Sequence, residues 1–228
     1  MTPTPLSRPQ LIVFDWDGTL VQSTGHIIRC FQQAIAAEAL PERDPQTIAN
    51  IIGLGLLEAS QTLFPEASPT QVAALAEAYR HVYFQRTERL ELYPGAESVL
   101  QTLQAAGCFL AIATGKSNRG LREALDETGL GHYFLATRTA EQTVSKPAPL
   151  MLLELFDELG VMPHESWMVG DTDFDLLMAH NAGCQAIAIT HGAHEVARLH
   201  AARPQVIITE LNELIPLFCA TAPENPQS

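Results

Sequence analysis

The sequence predicts an α/β protein: a doubly wound, Rossmann-like parallel sheet with an all-helical cap domain inserted after the first strand. Short apolar segments recur along the chain, and helical patterns separate most of them, which is typical of a parallel sheet covered by helices on both faces. One stretch of about 70 residues has no strand pattern and is too long for a simple crossover. The 228 residues fit one main domain with a smaller insert, and 46% hydrophobic residues can fill its core.

The first predicted strand is LIVFD at 11–15, an apolar segment that ends at the turn signal Asp17-Gly18-Thr19. The later predicted strands are Phe109–Ala113, Trp167–Val169, Ala186–Ile189 and Val206–Ile208. The helical patterns between them run from Pro94-Gly95 to Gly107, from Pro149 onwards, and over Asp173–Ala182.

Residues 21–92 predict successive helices that cover the carboxyl edge of the sheet. One apolar stripe extends from Ile27 to Leu40, and a second from Val72 to Tyr83 begins after Ser68-Pro69, a favourable N-cap and first-turn pair. We therefore expect an α/β core at 1–20 and 93–228, with the cap at 21–92. The tail APENPQS is expected to be frayed.

The composition excludes several classes of partner. A net charge of −13 argues against nucleic acid and anionic membranes, but it leaves room for a small phosphorylated metabolite bound at a local positive site. No apolar run reaches the roughly 18 residues of a membrane helix, and the N-terminus lacks a signal-peptide pattern. The four cysteines have no metal-ligand spacing, so we expect reduced thiols in a cytoplasmic protein.

Two acids follow the first strand. Asp15 and Asp17 leave an extended segment on the same side, and two close carboxylates need a cation beside them. Oxygen ligands of this kind suit Mg²⁺, which also neutralises phosphate. The alternative interpretation is an ordinary Asp-Gly turn after a strand.

The second strand ends at Thr114-Gly115-Lys116, where a hydroxyl and free backbone amides suit phosphate oxygens. The alternative is a strand-to-helix turn capped by Ser117. A nucleotide-binding P-loop is excluded because Leu110 stands where that motif needs glycine.

Lysine is rare in this chain, which makes its positions informative. Of 13 Lys and Arg residues, only Lys116 and Lys146 are lysines, and both fall in loops predicted at the sheet edge. Pro147 favours an extended backbone at Lys146, although a lysine before proline is also common in solvated loops. We expect both to supply a compact positive charge, while arginine serves the surface.

The segment Gly170–Asp175 follows the strand at Trp167–Val169 and contains three alternating acids. It does not match a calcium-binding EF-hand loop, which needs glycine and glutamate at places held by other residues. Asp173 fits a helix start, where an acid complements the helix dipole. Asp171, directly at the strand end, fits a metal ligand better.

Other polar residues give weaker signals. Arg29, Arg80 and Arg86 are expected on the surface of amphipathic cap helices, and substrate contact by one of them stays open. His191 and His194 are expected to be solvated loop residues rather than metal ligands, because no acid or thiol lies at a suitable spacing.

Taken in order, these features resemble the haloacid dehalogenase-like hydrolase superfamily over nearly the whole chain. The matching segments are Asp15-x-Asp17-Gly18-Thr19-Leu20 for its first motif, Thr114 for the second, Lys146 for the third and Gly170-Asp171-x-x-x-Asp175 for the fourth. The insert at 21–92 is similar to the helical cap of the phosphoglycolate phosphatase and β-phosphoglucomutase branch.

This resemblance implies a Mg²⁺-dependent phosphatase. Asp15 would be the nucleophile that forms an aspartyl-phosphate, and Asp17 would be the general acid and then the base. Mg²⁺ would be held by Asp15, by the main-chain carbonyl of Asp17 and by Asp171. Asp175 would orient its neighbours.

The resemblance also implies a phosphate-binding set. Thr114, Gly115 and Lys146 would bind the phosphoryl oxygens, so that catalysis is mainly positioning and charge stabilisation. The physiological substrate and the oligomeric state have no readable signal in the sequence.

Within the superfamily, single residues favour one chemistry over another. Dehalogenases lack the second acid that Asp17 supplies, and phosphonatases use a cap lysine that 21–92 lacks. Mutases often carry a bulkier apolar residue at the place of Thr19. Gln22 departs from the aspartate of many phosphoglycolate phosphatases. A phosphosugar mutase is the main alternative, and a non-catalytic binding protein on the same fold is a further one.

Overall fold

The computed structural model describes residues 8–219, and the predicted frayed tail APENPQS lies outside them. The strands are β1 (Leu11–Phe14), β2 (Phe109–Thr114), β3 (Ala136–Thr139), β4 (Ser166–Gly170), β5 (Gln185–Ile189) and β6 (Val206–Ile208). The helices are α1 (Thr24–Ala37), α2 (Pro45–Ala49), α3 (Leu56–Leu63), α4 (Pro69–Tyr83), α5 (Ala96–Ala105), α6 (Asn118–Thr128), α7 (Leu150–Leu159), α8 (Asp173–Ala182), α9 (Val196–Ala201) and α10 (Leu214–Phe218). Short 3₁₀ turns lie at Leu130–Tyr133, Pro163–Glu165 and Leu211–Glu213.

The six strands form one parallel sheet in the order β3-β2-β1-β4-β5-β6. The chain begins in the middle at β1, adds β2 and β3 on one side, and then returns to add β4, β5 and β6 on the other. Open α/β sheets bind ligands at the carboxyl edge where the strand order reverses in this way. In this protein that place lies between the ends of β1 and β4.

Five of the six strands were predicted, and the doubly wound α/β fold is confirmed. The strand β3 was missed because its sequence, ATRT, has no apolar run. It lies at the edge of the sheet, and its two central residues are half-buried rather than enclosed on both faces. The loop after β3 carries Lys146, so the missed strand supplies one of the predicted site residues.

Successive side chains along each strand point to opposite faces of the sheet, and this divides the core into two layers. Ile12 and Phe14 of β1 face the layer formed with α5, α6 and α10, whereas Leu11 and Val13 face α7, α8 and α9. All four of these side chains are buried. A parallel strand enclosed on both faces in this way has a continuous apolar sequence, which is why β1 was readable.

The helices α1 to α4 lie between β1 and β2 and share a hydrophobic core of their own, in which Phe31 and Leu75 are buried. The predicted start of α4 is confirmed: Ser68 and Gln71 form a reciprocal capping box. Val21 and Leu92 form an antiparallel bridge, so the connections into and out of the helical stretch lie side by side. The division into a cap at 21–92 and a core at 1–20 and 93–228 stays a prediction.

In the described range 8–219, no helix combines the length and the apolar composition needed to cross a membrane. The four cysteines are free thiols, three of them buried and Cys219 half-buried.

Candidate active site

The chain leaves β1 with two acids, Asp15 and Asp17, that are both buried at the carboxyl edge of the sheet. The Asp15 N–H donates to the Val169 carbonyl at 2.9 Å, which continues the pairing of β1 with β4 by one residue. Gly18 turns the chain with a φ of 83°, a conformation that favours glycine. A Cβ at Gly18 would also collide with the Asp171 carboxylate, so glycine lets the two loops approach.

Asp171 follows β4 directly, and donors from two other loops hold its carboxylate. Thr19 Oγ1 donates to Oδ1 at 2.7 Å, and the Ala193 N–H donates to Oδ2 at 2.7 Å. Burial raises the pKa of Asp171 well above its usual range, and the charges of Asp15 and Asp175 raise it further. A nearby cation would reverse this effect and keep the carboxylate ionised.

Lys146 is enclosed by acids at the carboxyl edge of the sheet. Its Nζ donates to Asp15 Oδ1 at 2.7 Å and to Asp175 Oδ1 at 2.6 Å, and all three side chains are buried. The other Asp175 oxygen accepts from the N–H and the hydroxyl of Thr172 at the start of α8. Both oxygens of Asp175 are therefore engaged, and its side chain fixes the position of Lys146.

Asp17 is held by residues outside its own motif. Lys116 Nζ donates to its two carboxylate oxygens at 3.0 and 2.9 Å, and Ser23 Oγ donates to Oδ1 at 2.6 Å. Lys116 also donates to the Tyr83 hydroxyl at 2.8 Å. The sequence left the role of Lys116 open and gave no sign of Ser23 or Tyr83. The rarity of lysine was the one signal that pointed to Lys116.

The acids of the site fit a divalent cation. Asp15, Asp171 and Asp175 each place one carboxylate oxygen within 4.8 Å of the others. Asp15 Oδ2 is buried and has no hydrogen-bond partner among residues 8–219. Burial without a partner is unfavourable for a carboxylate oxygen, and coordination of Mg²⁺ would supply the missing partner. Burial raises the pKa of Asp15 to about 7 despite the ammonium group of Lys146. With Asp17, four carboxylates meet only two lysines here, so one divalent cation would balance the charge.

Thr114 ends β2 and lines the same cavity as Asp15 and Asp17. Its Oγ1 accepts the Lys116 N–H at 3.3 Å, and the hydroxyl proton remains available as a donor. The structure therefore brings the predicted phosphate-binding hydroxyl to the predicted acids.

Gly115 lies where the helical stretch touches the sheet region. A Cβ at this position would collide with the backbone carbonyl oxygens of Gly53 and Leu54. Close by, the Gly55 N–H donates to Ser145 Oγ at 2.8 Å. Glycine at 115 thus permits the loop before α3 to reach the carboxyl edge of the sheet.

A cavity of about 460 Å³ opens beside Asp15 and Asp17. The ends of β1 and β2 form one side, and mostly apolar side chains of α1, α3 and α4 form the other. Its volume is within the range of about 300–1,000 Å³ that small-molecule sites occupy.

The three arginines that the sequence left open lie in different places. Arg80 lines the cavity. Arg29 pairs with Glu88 on the surface at 3.3 Å and Arg86 pairs with Glu127, and neither of them is among the residues that line the cavity.

The two histidines pack against the protein rather than standing free in a loop. His191 Nε2 lies 3.1 Å from the Thr19 carbonyl oxygen, and its ring stacks on Tyr93. His194 is buried, and its Nδ1 accepts from the Asp173 N–H at 3.1 Å. The expectation of solvent exposure is therefore wrong for His194, because the turn before α8 encloses it.

Comparison with known proteins gives consistent matches. The family model described as haloacid dehalogenase-like hydrolase matches residues 12–189. The probable phosphatase IndB of Dickeya dadantii (strain 3937) is 35% identical over 210 residues, covering 90% of this chain and 91% of that protein. A phosphoglycolate phosphatase of Vibrio vulnificus (strain YJ016) is 30% identical over 222 residues, covering 93% and 97%.

A solved structure shows the same fold. The crystal structure of a predicted phosphoglycolate phosphatase from Haemophilus somnus 129PT has a TM-score of 0.82 at 25% identity, covering 91% of this chain and 97% of that one. The resemblance stated from the motifs is confirmed, as is an enzyme of phosphatase type. The chain belongs to the haloacid dehalogenase-like hydrolase family, in the branch that includes the phosphoglycolate phosphatases.

Proposed function

We propose that this chain is a magnesium-dependent phosphatase that hydrolyses a small phosphate monoester through an aspartyl-phosphate on Asp15. The Asp15 carboxylate is the observation that carries the proposal. One of its oxygens is bound by Lys146, and the other is buried beside the cavity without a partner among residues 8–219. A carboxylate fixed in this way is a positioned nucleophile and a metal ligand.

Mg²⁺ would be held by Asp15, Asp171 and the main-chain carbonyl of Asp17. Among residues 8–219, no donor hydrogen-bonds that carbonyl, because the adjoining turn uses the groups on either side of it. Bound Mg²⁺ would neutralise the acids and the negative charge of the phosphoryl group. Asp175 is left out of the ligand set because one of its oxygens is bound by the Lys146 ammonium group and the other accepts two hydrogen bonds from Thr172. Each Asp171 oxygen accepts only one hydrogen bond among residues 8–219, from an uncharged donor.

The first chemical step would transfer the phosphoryl group to Asp15. A bond forms between its carboxylate and phosphorus while the bond from phosphorus to the leaving oxygen breaks, and that oxygen takes a proton from Asp17. The Thr114 hydroxyl, the Gly115 backbone and the Lys146 ammonium group would bind the phosphoryl oxygens. These groups contribute positioning and charge stabilisation.

The second step would hydrolyse the aspartyl-phosphate. Asp17 takes a proton from a water molecule as the water oxygen attacks phosphorus, and the bond from phosphorus to Asp15 breaks. Inorganic phosphate leaves and the free Asp15 carboxylate is restored. The hydrogen bonds from Lys116 hold Asp17, the acid–base residue, beside the cavity for both steps.

The proposed substrate class is a small phosphorylated metabolite. The net charge of −13 opposes nucleic acid and anionic membranes as partners, and a cytoplasmic location stays a prediction. A phosphosugar mutase is the alternative, but nothing in the part of the chain that the structure describes favours it. Release of the phosphate, rather than its return to another hydroxyl, separates the two activities.

The test uses an aryl phosphate whose leaving group needs no protonation. The wild-type protein should release inorganic phosphate with Mg²⁺ and stop in excess chelator. Asp17→Asn should lower the turnover by about 10²–10⁴, mainly at hydrolysis of the intermediate. It should therefore accumulate a hydroxylamine-labile phosphoryl adduct that peptide mass spectrometry maps to Asp15.

Asp15→Asn is the matched control for this experiment. It should give neither turnover nor adduct, because an amide is a poor nucleophile and a weaker Mg²⁺ ligand. Undiminished turnover in chelator would contradict the metal assignment. A label on Asp17, or on a serine, histidine or cysteine, would contradict the assigned nucleophile.

A further inference from the structure

The side of the cavity formed by the helical stretch consists of closely packed apolar and aromatic side chains. We call the set Phe31, Leu56, Tyr79, Tyr83 and Phe84 the aromatic wall. The ring centroids of Phe31 and Tyr79 lie 4.5 Å apart, and Tyr79 stacks on Tyr83 at 5.7 Å. Phe84 meets Tyr83 edge to face at 5.5 Å. Surfaces of this composition bind flat apolar groups by burial and ring contact.

The cations that line the cavity are already paired with acids. Among residues 8–219, they are Lys116 and Arg80. Lys116 donates to both carboxylate oxygens of Asp17, and Arg80 contacts Glu77 and lies 3.9 Å from Glu141. A carboxylate on the alcohol portion of a substrate would lose its water here and gain no free cation in return.

The remaining polar groups of the cavity also favour an uncharged alcohol portion over a second anion. Glu58 and Glu141 line it and would repel a second anion. The Tyr79 hydroxyl has no hydrogen-bond partner among residues 8–219, and burial raises the pKa of Tyr79 well above its usual range, so the hydroxyl stays neutral. It can therefore bind an uncharged polar atom, such as a hydroxyl or a carbonyl oxygen.

We propose that the substrate is a phosphate monoester whose alcohol portion is uncharged and has a flat apolar face, rather than a phosphorylated carboxylic acid such as phosphoglycolate. The phosphoryl group would lie at Asp15 and Lys146, and the alcohol portion against the aromatic wall. This inference rests on the proposed phosphatase function. It also separates the chain from the relative named phosphoglycolate phosphatase.

Three phosphate esters test the proposal on the wild-type protein with Mg²⁺. Benzyl phosphate and phosphoglycolate are both esters of primary alcohols, and 4-carboxybenzyl phosphate adds a carboxylate to the same ring. We expect kcat/KM for benzyl phosphate to be at least about tenfold above that for either carboxylate. Phosphoglycolate turnover equal to or above that of benzyl phosphate would overturn the inference and leave the phosphatase proposal standing.

A substitution in the aromatic wall sharpens the test. Leu56→Arg adds a cation to a cavity that Glu58 and Glu141 also line, which makes the cavity less negative, and it should raise the kcat/KM ratio of 4-carboxybenzyl phosphate to benzyl phosphate by about tenfold. Leu153→Arg is the matched control, because it places the same charge on an exposed position of α7 that does not line the cavity. An unchanged ratio in Leu56→Arg, or an equal change in both variants, would count against the inference.

Binding measurements keep the two proposals separate. Benzylphosphonate and phosphonoacetate are not hydrolysed and carry the same phosphonate group, so the difference between their affinities in calorimetric titration of the Mg²⁺-loaded protein reports on the cavity. At least about tenfold tighter binding of benzylphosphonate supports the inference even if the esters are not turned over. Equal or reversed affinities overturn it. Absence of hydrolysis for all three esters would overturn the proposed function.

Discussion

The two lysines of this chain lie in one site but connect different parts of the molecule. Lys146 donates to Asp15, which follows β1, and to Asp175 in α8. Lys116 donates to Asp17 and also to Tyr83 at the end of α4. Lys146 therefore balances the charges of acids at the carboxyl edge of the sheet, and Lys116 links an acid of that edge to the helices on the other side of the cavity.

The pKa values of the two lysines show that both remain charged in this setting. Burial lowers the pKa of each ammonium group, but the adjacent carboxylates outweigh burial and raise it above the ordinary value. Because Lys116 binds Asp17 and Tyr83 at once, the position of the proposed general acid depends on the position of α4. The position of Asp15 has no such dependence, because its ion-pair partner is Lys146.

The largest effect is expected for Lys146→Met. It removes the one ammonium group that binds Asp15 and Asp175 within residues 8–219 and leaves their charges uncompensated. We expect kcat to fall by about 10²–10³ or more. The free energy of unfolding, measured by urea titration without metal, should fall by about 3–5 kcal/mol, as for other broken buried pairs.

Arg138→Met is the matched control for that variant. Arg138 also binds two acids, Glu154 at 2.6 Å and Glu158 at 2.7 Å, but on a partly exposed surface away from the cavity. Its loss should change the free energy of unfolding by about 1 kcal/mol or less and leave kcat unchanged. Equal effects of the two variants would show that enclosure by acids gives Lys146 no special role.

A smaller effect on activity is expected for Lys116→Met. The Asp17 carboxylate remains and still accepts from Ser23, so kcat should fall by about 10–10², less than loss of a general acid itself costs. The distinguishing measurement is amide hydrogen exchange in α4. For α4 amides that exchange by local opening, exchange should quicken in Lys116→Met and stay unchanged in Lys146→Met, because of the two lysines only Lys116 binds a residue of that helix. Amides that exchange by global unfolding are left out, because they report the lower overall stability of Lys146→Met. Equal exchange rates of these locally opening amides in the two variants would contradict the conclusion that Lys116 alone of the two lysines connects the acids to α4.

The sheet was largely predictable because parallel strands buried on both faces must be apolar throughout. β1 and residues 167–169 of β4 have that pattern, and all nine residues of the two strands are buried. The edge strand β3 does not, because Thr137 and Arg138 are only half enclosed. A pattern of hydrophobicity cannot report a strand whose pairing is satisfied without full burial.

The same reasoning explains which site residues were found. Asp15 and Asp171 each follow a strand and Thr114 ends one, so the topology alone brings them to one edge of the sheet. Ser23 and Tyr83 reach Asp17 and Lys116 only through the way the helices pack over that edge. A single sequence carries periodicity and turn signals, but it does not encode helix docking in a form that can be read directly.

The smallest effect, and the sharpest test of the link between α4 and the acids, is expected for Tyr83→Phe. Its hydroxyl accepts from Lys116, so its loss should lower the free energy of unfolding by about 0.5–1.5 kcal/mol and reduce kcat only a few-fold. Tyr79→Phe, one turn earlier in α4, is the matched control. Its hydroxyl has no partner among residues 8–219, so stability should not fall. In the Lys116→Met background the effect of Tyr83→Phe should disappear, because the two groups act through one hydrogen bond. Additive effects in that double variant would show that Tyr83 stabilises the protein by packing alone and that Lys116 does not join the helices to Asp17.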